Sequence, residues 1–419
     1  MSSRNALSVY FHPKLLLVLA LGFFSGLPLA LTASTLGAWL AESGVSKSSI
    51  GLFAAVATPY ALKFLWSPLM DGVQFPLLSK LLGRRRGWLI ATQIALVAAI
   101  VLLGYSDPKI DPWMTAFCAL LVAICSASQD IVIDAYRVEI LEKEQYGAGA
   151  AMVQYGYRFG MLASGAGALA LADHVSWMAT YMIMAAVMCA GIVLVLFSPE
   201  PEVSAEVAPP SKLHWLRDTL IAPFSDFMTR EHWLAILLFI LLYKFGDAFL
   251  GVMTNPFLLE IGFTKTQIAT VVKVYGLAAT LIGVFLGGVM TYRLGTVKTL
   301  MICGIGHALT NLMFLLQARA GADIQLLSLG IFAENLSGGM TASAFVAFIS
   351  GLTHARYTAT QYALLSSLAA MGRTWLTTTA GWTADRFGWE MFFVISVLLA
   401  VPGLVMLAFL SKRIDPEAD

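Results

Sequence analysis

Ser126-Ala-Ser-Gln-Asp-Ile-Val-Ile-Asp-Ala-Tyr-Arg-Val-Glu139 follows a stretch, Met114 to Cys125, that is almost wholly apolar. A helix starting near Pro112 carries Asp130 and Asp134 at membrane depth or close to it. An ionisable residue at the centre of a spanning helix costs at least about 2.5–3.5 kcal/mol on insertion scales. Here two carboxylates stand one turn apart, with Gln129 beside them and Arg137 further on. Asp130, Asp134 and Arg137 share one helix face by i, i+4, i+7 spacing. Two readings follow: a closed ion-pair network that locks helices together, or a polar path through the membrane.

The rest of the chain fixes the setting. Of 419 residues, 58% are hydrophobic and 12% charged, and the mean hydropathy is +0.78. A soluble domain does not have this composition. Apolar runs of about 20 residues predict spans at 15–41, 47–70, 87–105, 112–140, 147–172 and 176–198, then at 231–258, 265–291, 297–318, 323–351, 358–385 and 389–411. With the N-terminus placed inside, fifteen Lys and Arg fall in inside segments. Five fall outside: Lys47, Lys109, Lys265, Arg319 and Arg386. The positive-inside rule then predicts a multi-pass protein with both termini cytoplasmic. The first span is too long and too polar, with Ser25, Gly26 and Pro28, for a cleaved signal peptide. Cys118, Cys125, Cys189 and Cys303 lie in apolar spans without metal-type pairing and read as packing residues.

Two halves, 1–198 and 231–419, flank a segment, 199–230, that reads as a cytoplasmic linker rich in Pro and Glu. An amphipathic helix is expected near its end, around Leu213–Met228. The halves repeat: Leu40 to Ile50 aligns with Leu258 to Ile268, offset by 218 residues. Gln145-Tyr146 matches Gln361-Tyr362 and Gly156 matches Gly372, both offset by 216, while Arg158 and Arg373 fall within one residue of that register. A parallel repeat of six spans is the signature of the major facilitator architecture. The predicted fold is therefore an all-α membrane protein of twelve transmembrane helices in two pseudo-symmetric halves. In span 5, Gly156-x-x-x-Gly160 reads as a close helix contact. The Gly-Pro pair that marks drug-efflux antiporters is missing from this span, which leans against efflux.

Asp71 at the end of span 2 and Gly83-Arg84-Arg85-Arg86-Gly87 in the next loop resemble the facilitator signature. In that signature an Asp and loop cations latch one conformer. Gly72 stands where many relatives carry Arg, so a weaker relay is expected; Arg84–Arg86 also serve as a positive-inside stop. Six basic residues lie within the spans or at their edges: Lys63, Arg137, Arg158, Lys244, Lys273 and Arg373. Lys63 and Arg137 can snorkel. Lys244 pairs with Asp247 by i, i+3 spacing. The cationic excess suits an anionic cargo. Expected cargo contacts are Gln129, Arg158, Lys244, Lys273, Glu334, Asn335 and Arg373, with Tyr155, Tyr157, Tyr275 and Trp375 as aromatic neighbours. Asp130 and Asp134, with Glu334 third, are the proton-coupling candidates. No His-Glu-x-x-His, Gly-x-Ser-x-Gly or phosphate loop is present. An enzyme or ATP-driven pump is not expected, and neither a metal nor a cofactor is implied.

Several strings occur together: Gly26-Leu-Pro-Leu-Ala-Leu-Thr32, Lys63-Phe-Leu-Trp-Ser-Pro-Leu-Met-Asp71, Gly83-Arg-Arg-Arg-Gly-Trp88, Ser126 to Asp134, Leu242-Tyr-Lys-Phe-Gly-Asp-Ala-Phe249, Glu334-Asn-Leu-Ser-Gly-Gly-Met340 and Ala359-Thr-Gln-Tyr-Ala-Leu-Leu-Ser366. With these, the chain resembles the AmpG-type anhydromuropeptide permeases from about residue 15 to 411. The resemblance implies a proton-driven symporter in the inner membrane of a Gram-negative bacterium. It would import N-acetylglucosaminyl-1,6-anhydro-N-acetylmuramic acid and its peptides for peptidoglycan recycling. Expected partners are this cargo, protons and lipid; no nucleic acid is expected, and a monomer is. The alternatives are a facilitator for another anionic conjugate, acyl-CoA-like or drug, and a muropeptide receptor that does not transport.

Overall fold

Twelve helical spans follow one another among the residues that a computed structural model describes, 9–45, 53–75, 78–201 and 221–411. The side chains of Lys273, Arg373 and Trp375 lie outside the described residues. The spans run Pro13–Glu42 (span 1), 53–72 (span 2), Arg84–Tyr105 (span 3), Pro112–Ile140 (span 4), 146–172 (span 5) and Trp177–Phe197 (span 6). They continue with Trp233–Glu260 (span 7), 265–294 (span 8), Thr296–Ala320 (span 9), Ile324–Gly351 (span 10), 358–387 (span 11) and 389–410 (span 12). Eight of the helices are each long and apolar enough to cross a membrane, and a 105° bend after Gly351 separates span 10 from span 11. Spans 11 and 12 are parted only by Gly388, whose φ of 73° turns the chain inside one continuous run.

Local breaks have local causes. Span 2 is a series of short turns, and its α-helical pieces Thr58–Leu62 and Ser67–Gly72 each begin at a proline, Pro59 and Pro68. Proline starts a helix well but cannot continue one. In span 1, Pro28 has no N–H to offer the Phe24 carbonyl one turn back. The Gln129 amide of span 4 donates to that carbonyl instead, at 2.9 Å. Beyond the linker's first residues, 202–220 lie outside the described residues. Of the expected amphipathic helix only Ala222–Met228 is seen. The repeated loop motif is likewise cut short, because 46–52 are not described. The repeated Gln145 and Gln361 do parallel jobs: each accepts a backbone N–H from the turn before its span, Glu142 at 3.2 Å and His354 at 2.8 Å.

Spans 1 and 5 touch backbone to backbone. A Cβ on Gly156 would lie 1.9 Å from the Leu19 carbonyl oxygen, and one on Gly160 would lie 2.1 Å from that of Phe23. Small residues are what allow such approach in a membrane, where no hydrophobic force drives helices together. Between the halves, a shared core cluster brings Val284, Ala359 and Ala363 of the second half against spans 1, 3, 4 and 5 of the first. Gly156→Leu should destabilise the folded protein by at least about 2 kcal/mol through overpacking. Gly37→Ala, with nothing within 4 Å of its Cβ position, should be neutral. Thermal unfolding of the detergent-solubilised variants measures the difference.

Candidate functional site

Three polar assemblies stand inside the apolar bundle. The first closes the end that carries the loops after spans 2, 4, 8 and 10, called the basic end here. Gly83 (φ 92°) turns the chain into span 3, and the Glu200 carboxylate accepts from the Arg85 and Arg86 amides at 2.8 and 3.0 Å. A carboxylate there satisfies first-turn N–H groups and the helix dipole. The fully buried Arg85 guanidinium binds Asp71 at 2.8 Å, the Met70 carbonyl at 3.0 Å and both carboxylate oxygens of Glu139. Arg84 adds a 3.4 Å contact to Glu139 and donates to the Asp71 carbonyl at 3.2 Å. Arg86 departs from the expected latch: it donates to the Val195 and Leu196 carbonyls and so closes the end of span 6. Asp71 then crosses to the other half. It accepts from the Ala359 and Thr360 amides at 3.3 and 2.8 Å and from the Thr360 hydroxyl at 2.7 Å. One carboxylate thus holds both the loop arginine and the buried first turn of span 11.

The second assembly is built on span 4. Asp134 pairs with Lys63 at 3.5 Å and Arg137 at 3.7 Å. The Arg137 guanidinium donates to the Ser350 hydroxyl of span 10 at 3.0 Å and lies 5.2 Å above the Tyr362 ring of span 11. Its side chain is 0% exposed and that of Lys63 11%. The snorkelling expected of both is therefore corrected: each is held inside by a carboxylate, and Arg137 also by the other half. Asp130, on the same helix face, accepts from the Ser25 hydroxyl of span 1 at 2.5 Å. Gln129, expected to meet cargo, is 0% exposed. Its amide is engaged by the carbonyl that Pro28 leaves unpaired, so it joins helices and does not face a cavity.

The third assembly lies midway along spans 7, 9 and 10. Lys244 and Asp247 form the expected pair at 3.5 Å. Asp247 also meets Nε2 of His307 at 3.0 Å. Ligating atoms of Asp247, His307 and Glu334 all lie within 4.8 Å of one another. Asn335 donates to Glu334 at 2.6 Å and accepts from the Thr280 hydroxyl at 3.0 Å. A small cavity beside Lys244, Asp247 and His307 is closed by Tyr243, Asn311 and Thr341. Glu334 and Asn335 stand in the same cluster as Lys244, which lines the cavity. Arg158 is exposed on span 5, one turn beyond Tyr155, whose hydroxyl donates to the Leu281 carbonyl of span 8. Tyr155 thus seals the halves, where sequence reasoning had it facing cargo. Lys273 and Arg373 fall on spans 8 and 11, with side chains outside the described residues.

Glu139, Glu200, Ser350, Tyr362 and His307 received no role from the sequence. His307 carried a usable signal, being, Cys303 aside, the one ionisable side chain in the run Met301–Gln317. The others act through partners on distant helices. Asp71→Asn should loosen the basic end by about 1–3 kcal/mol, less than full loss of a buried ion pair because Glu139 still holds Arg85. A cysteine at Ala363, 1% exposed in the shared core, reports this in a background without native cysteines. Its reaction with a thiol reagent should speed up at least tenfold in Asp71→Asn.

Comparison with known proteins agrees with this architecture. The Major Facilitator Superfamily model matches residues 18–254 and 236–419. The anhydromuropeptide permease of Escherichia coli K12 is 43% identical over 416 residues, covering 99% of this chain and 83% of that protein. The AmpG 4 transporter of Rickettsia felis is 36% identical over 405 residues, covering 96% and 97%. Among solved structures, the E. coli fucose:proton symporter FucP superposes with a TM-score of 0.71 at 14% identity, covering 94% of this chain and 98% of that one. It speaks for the fold alone. This chain belongs to the major facilitator superfamily and, within it, to the family of the anhydromuropeptide permeases.

Proposed function

We propose that this protein imports anhydromuropeptides across the bacterial inner membrane in symport with protons, by alternating access between halves 1–198 and 231–419 joined by the 199–230 linker. The observation that carries the reading is the seal at the basic end. It is made of polar contacts that can exchange: Asp71 with the span 11 turn, Arg137 with Ser350, and Ser343 with the Gly147 carbonyl at 3.4 Å. Alongside the apolar contacts of Val284, Ala359 and Ala363, these polar contacts can open and re-form. The cargo assignment is supported by the relative named anhydromuropeptide permease, 43% identical over nearly the whole chain. The excess of Lys and Arg in short loops supports a cytoplasmic placement of the basic end and both termini. The conformer described is then closed to the cytoplasm. The protein works as a monomer.

Arg158 is exposed where the halves part and, with Arg373, supplies cations for the carboxylates of a peptide-bearing cargo. The carboxylates held at depth, Asp130, Asp134 and Glu334, are the candidates for coupling. Uptake of labelled disaccharide into proteoliposomes should accumulate against its gradient only when the outside is more acidic. Binding without accumulation in any gradient would make the protein a receptor. Preference for acyl-CoA over muropeptide would make it a carrier of another conjugate. Arg158→Gln should weaken peptide-bearing cargo about tenfold, or 1.4 kcal/mol, and the bare disaccharide less; equal losses would make Arg158 structural. Cysteines at Lys109 and Arg319 should label from the periplasm with an impermeant reagent, and one at Lys80 should not.

A further inference from the structure

Charge bookkeeping separates the two buried assemblies. On the span 4 side, Lys63 and Arg137 face Asp130 and Asp134: two cations and two anions, neutral with both carboxylates ionised. On the span 7 side one permanent cation, Lys244, faces two carboxylates, Asp247 and Glu334, with His307 between them. That group is neutral only when it holds one further proton. Uncompensated charge is costly away from water, so a proton bound here changes the electrostatics of the bundle most.

The contacts of His307 show how a proton can be held there. Nδ1 is 2.8 Å from the Ser337 hydroxyl. That hydroxyl has a single hydrogen, and two backbone carbonyls compete for it, Ala333 at 2.8 Å and Glu334 at 3.0 Å. The nearby Thr310 hydroxyl gives its own hydrogen to the His307 carbonyl at 2.7 Å. A Ser337 hydrogen given to either carbonyl leaves that hydroxyl an acceptor toward the ring, and Nδ1 then carries hydrogen. Nε2 lies 3.0 Å from the Asp247 carboxylate, so a ring that takes up a second proton has a negative charge beside it. The groups facing it are Lys244 and Asp247 of span 7 and Glu334 of span 10; span 12 presents only Ala400 and Leu404 to the same cavity. On span 8, Lys273 stands one turn before Gly276, which packs on Asn335.

We infer that the coupling proton is carried by the His307–Glu334 pair, held between Lys244 and Asp247 on spans 7, 9 and 10, and not by the carboxylates of span 4. In the conformer closed at the basic end the proton is held between His307 and Glu334. When the halves rearrange, it leaves as a proton to the cytoplasmic side, and the group returns to one net negative charge. No bond other than N–H or O–H forms or breaks. His307 and Glu334 are then coupling residues, and Ser337 and Asp247 position the ring.

The inference rests on the symport reading, and one experiment separates the two. Wild type, His307→Gln, Glu334→Gln, Asp130→Asn and Asp134→Asn are reconstituted, and labelled disaccharide is followed both in counterflow without a gradient and in net uptake. With one pH unit directed inward and one proton per cargo, accumulation is bounded at about tenfold. Wild type should approach that bound. His307→Gln and Glu334→Gln should fall to about onefold while still exchanging cargo in counterflow, which also shows that they are folded. Failure of wild type to accumulate defeats both the symport reading and this inference. The inference alone is overturned if His307→Gln still accumulates, as it would if Lys273 supplied the balancing cation. It is also overturned if both variants lose counterflow with accumulation, which would put the group in cargo binding or folding. Loss of wild-type transport on chelation, restored by Zn2+, would make Asp247, His307 and Glu334 a metal site and overturn it equally.

Discussion

A charge in the hydrocarbon layer has no water to stabilise it, so its partner must be another side chain. The whole arrangement depends on this constraint. Lys63 of span 2 meets Asp134 of span 4, and Arg85 of span 3 meets Asp71 of span 2 and Glu139 of span 4, whereas Arg137 and Lys244 pair with carboxylates of their own helices. Where partners sit on different helices, charge state and helix position are one variable. A helix cannot move away from its partner without leaving a charge exposed or taking up a proton.

Several of these groups also reach across the boundary between halves. Asp71 holds Arg85 with one part of its carboxylate and the first turn of span 11 with the other. Arg137 holds Asp134 on its own helix and touches Ser350 and Tyr362 on the opposite half. The backbone contacts of spans 1 and 5, in contrast, tolerate no added atom. Between the halves, an apolar cluster around Val284, Ala359 and Ala363 is accompanied by polar contacts that solvent or cargo can replace. Exchangeable contacts of this kind are what alternating access requires.

The sequence announced its spans through apolar runs, and their limits fell close to the helices because chain entry and exit coincide with Pro, Gly and charged residues such as Pro112 and Gly295. Pairs close in sequence were legible too: Lys244 with Asp247, and Asp71 with the arginine loop. Roles that depend on distant partners were not. Gln129 is a polar residue at membrane depth, and nothing local shows that Pro28, on another helix, has left a carbonyl for it to satisfy. Glu200 resembled one more acidic linker residue until the start of span 3 was placed against it. His307 escaped because attention to formally charged residues passes over a neutral-counted histidine.

The central claim is that the polar seal at the basic end opens during the transport cycle. Spin labels at the exposed positions Glu144 and Lys298, one on each half at that end, would report its width by pulsed dipolar spectroscopy. The account predicts a shift to longer distances when disaccharide and acidic pH are supplied together, with little change when either is supplied alone. An unchanged distance distribution under conditions where the same labelled protein transports cargo would contradict it.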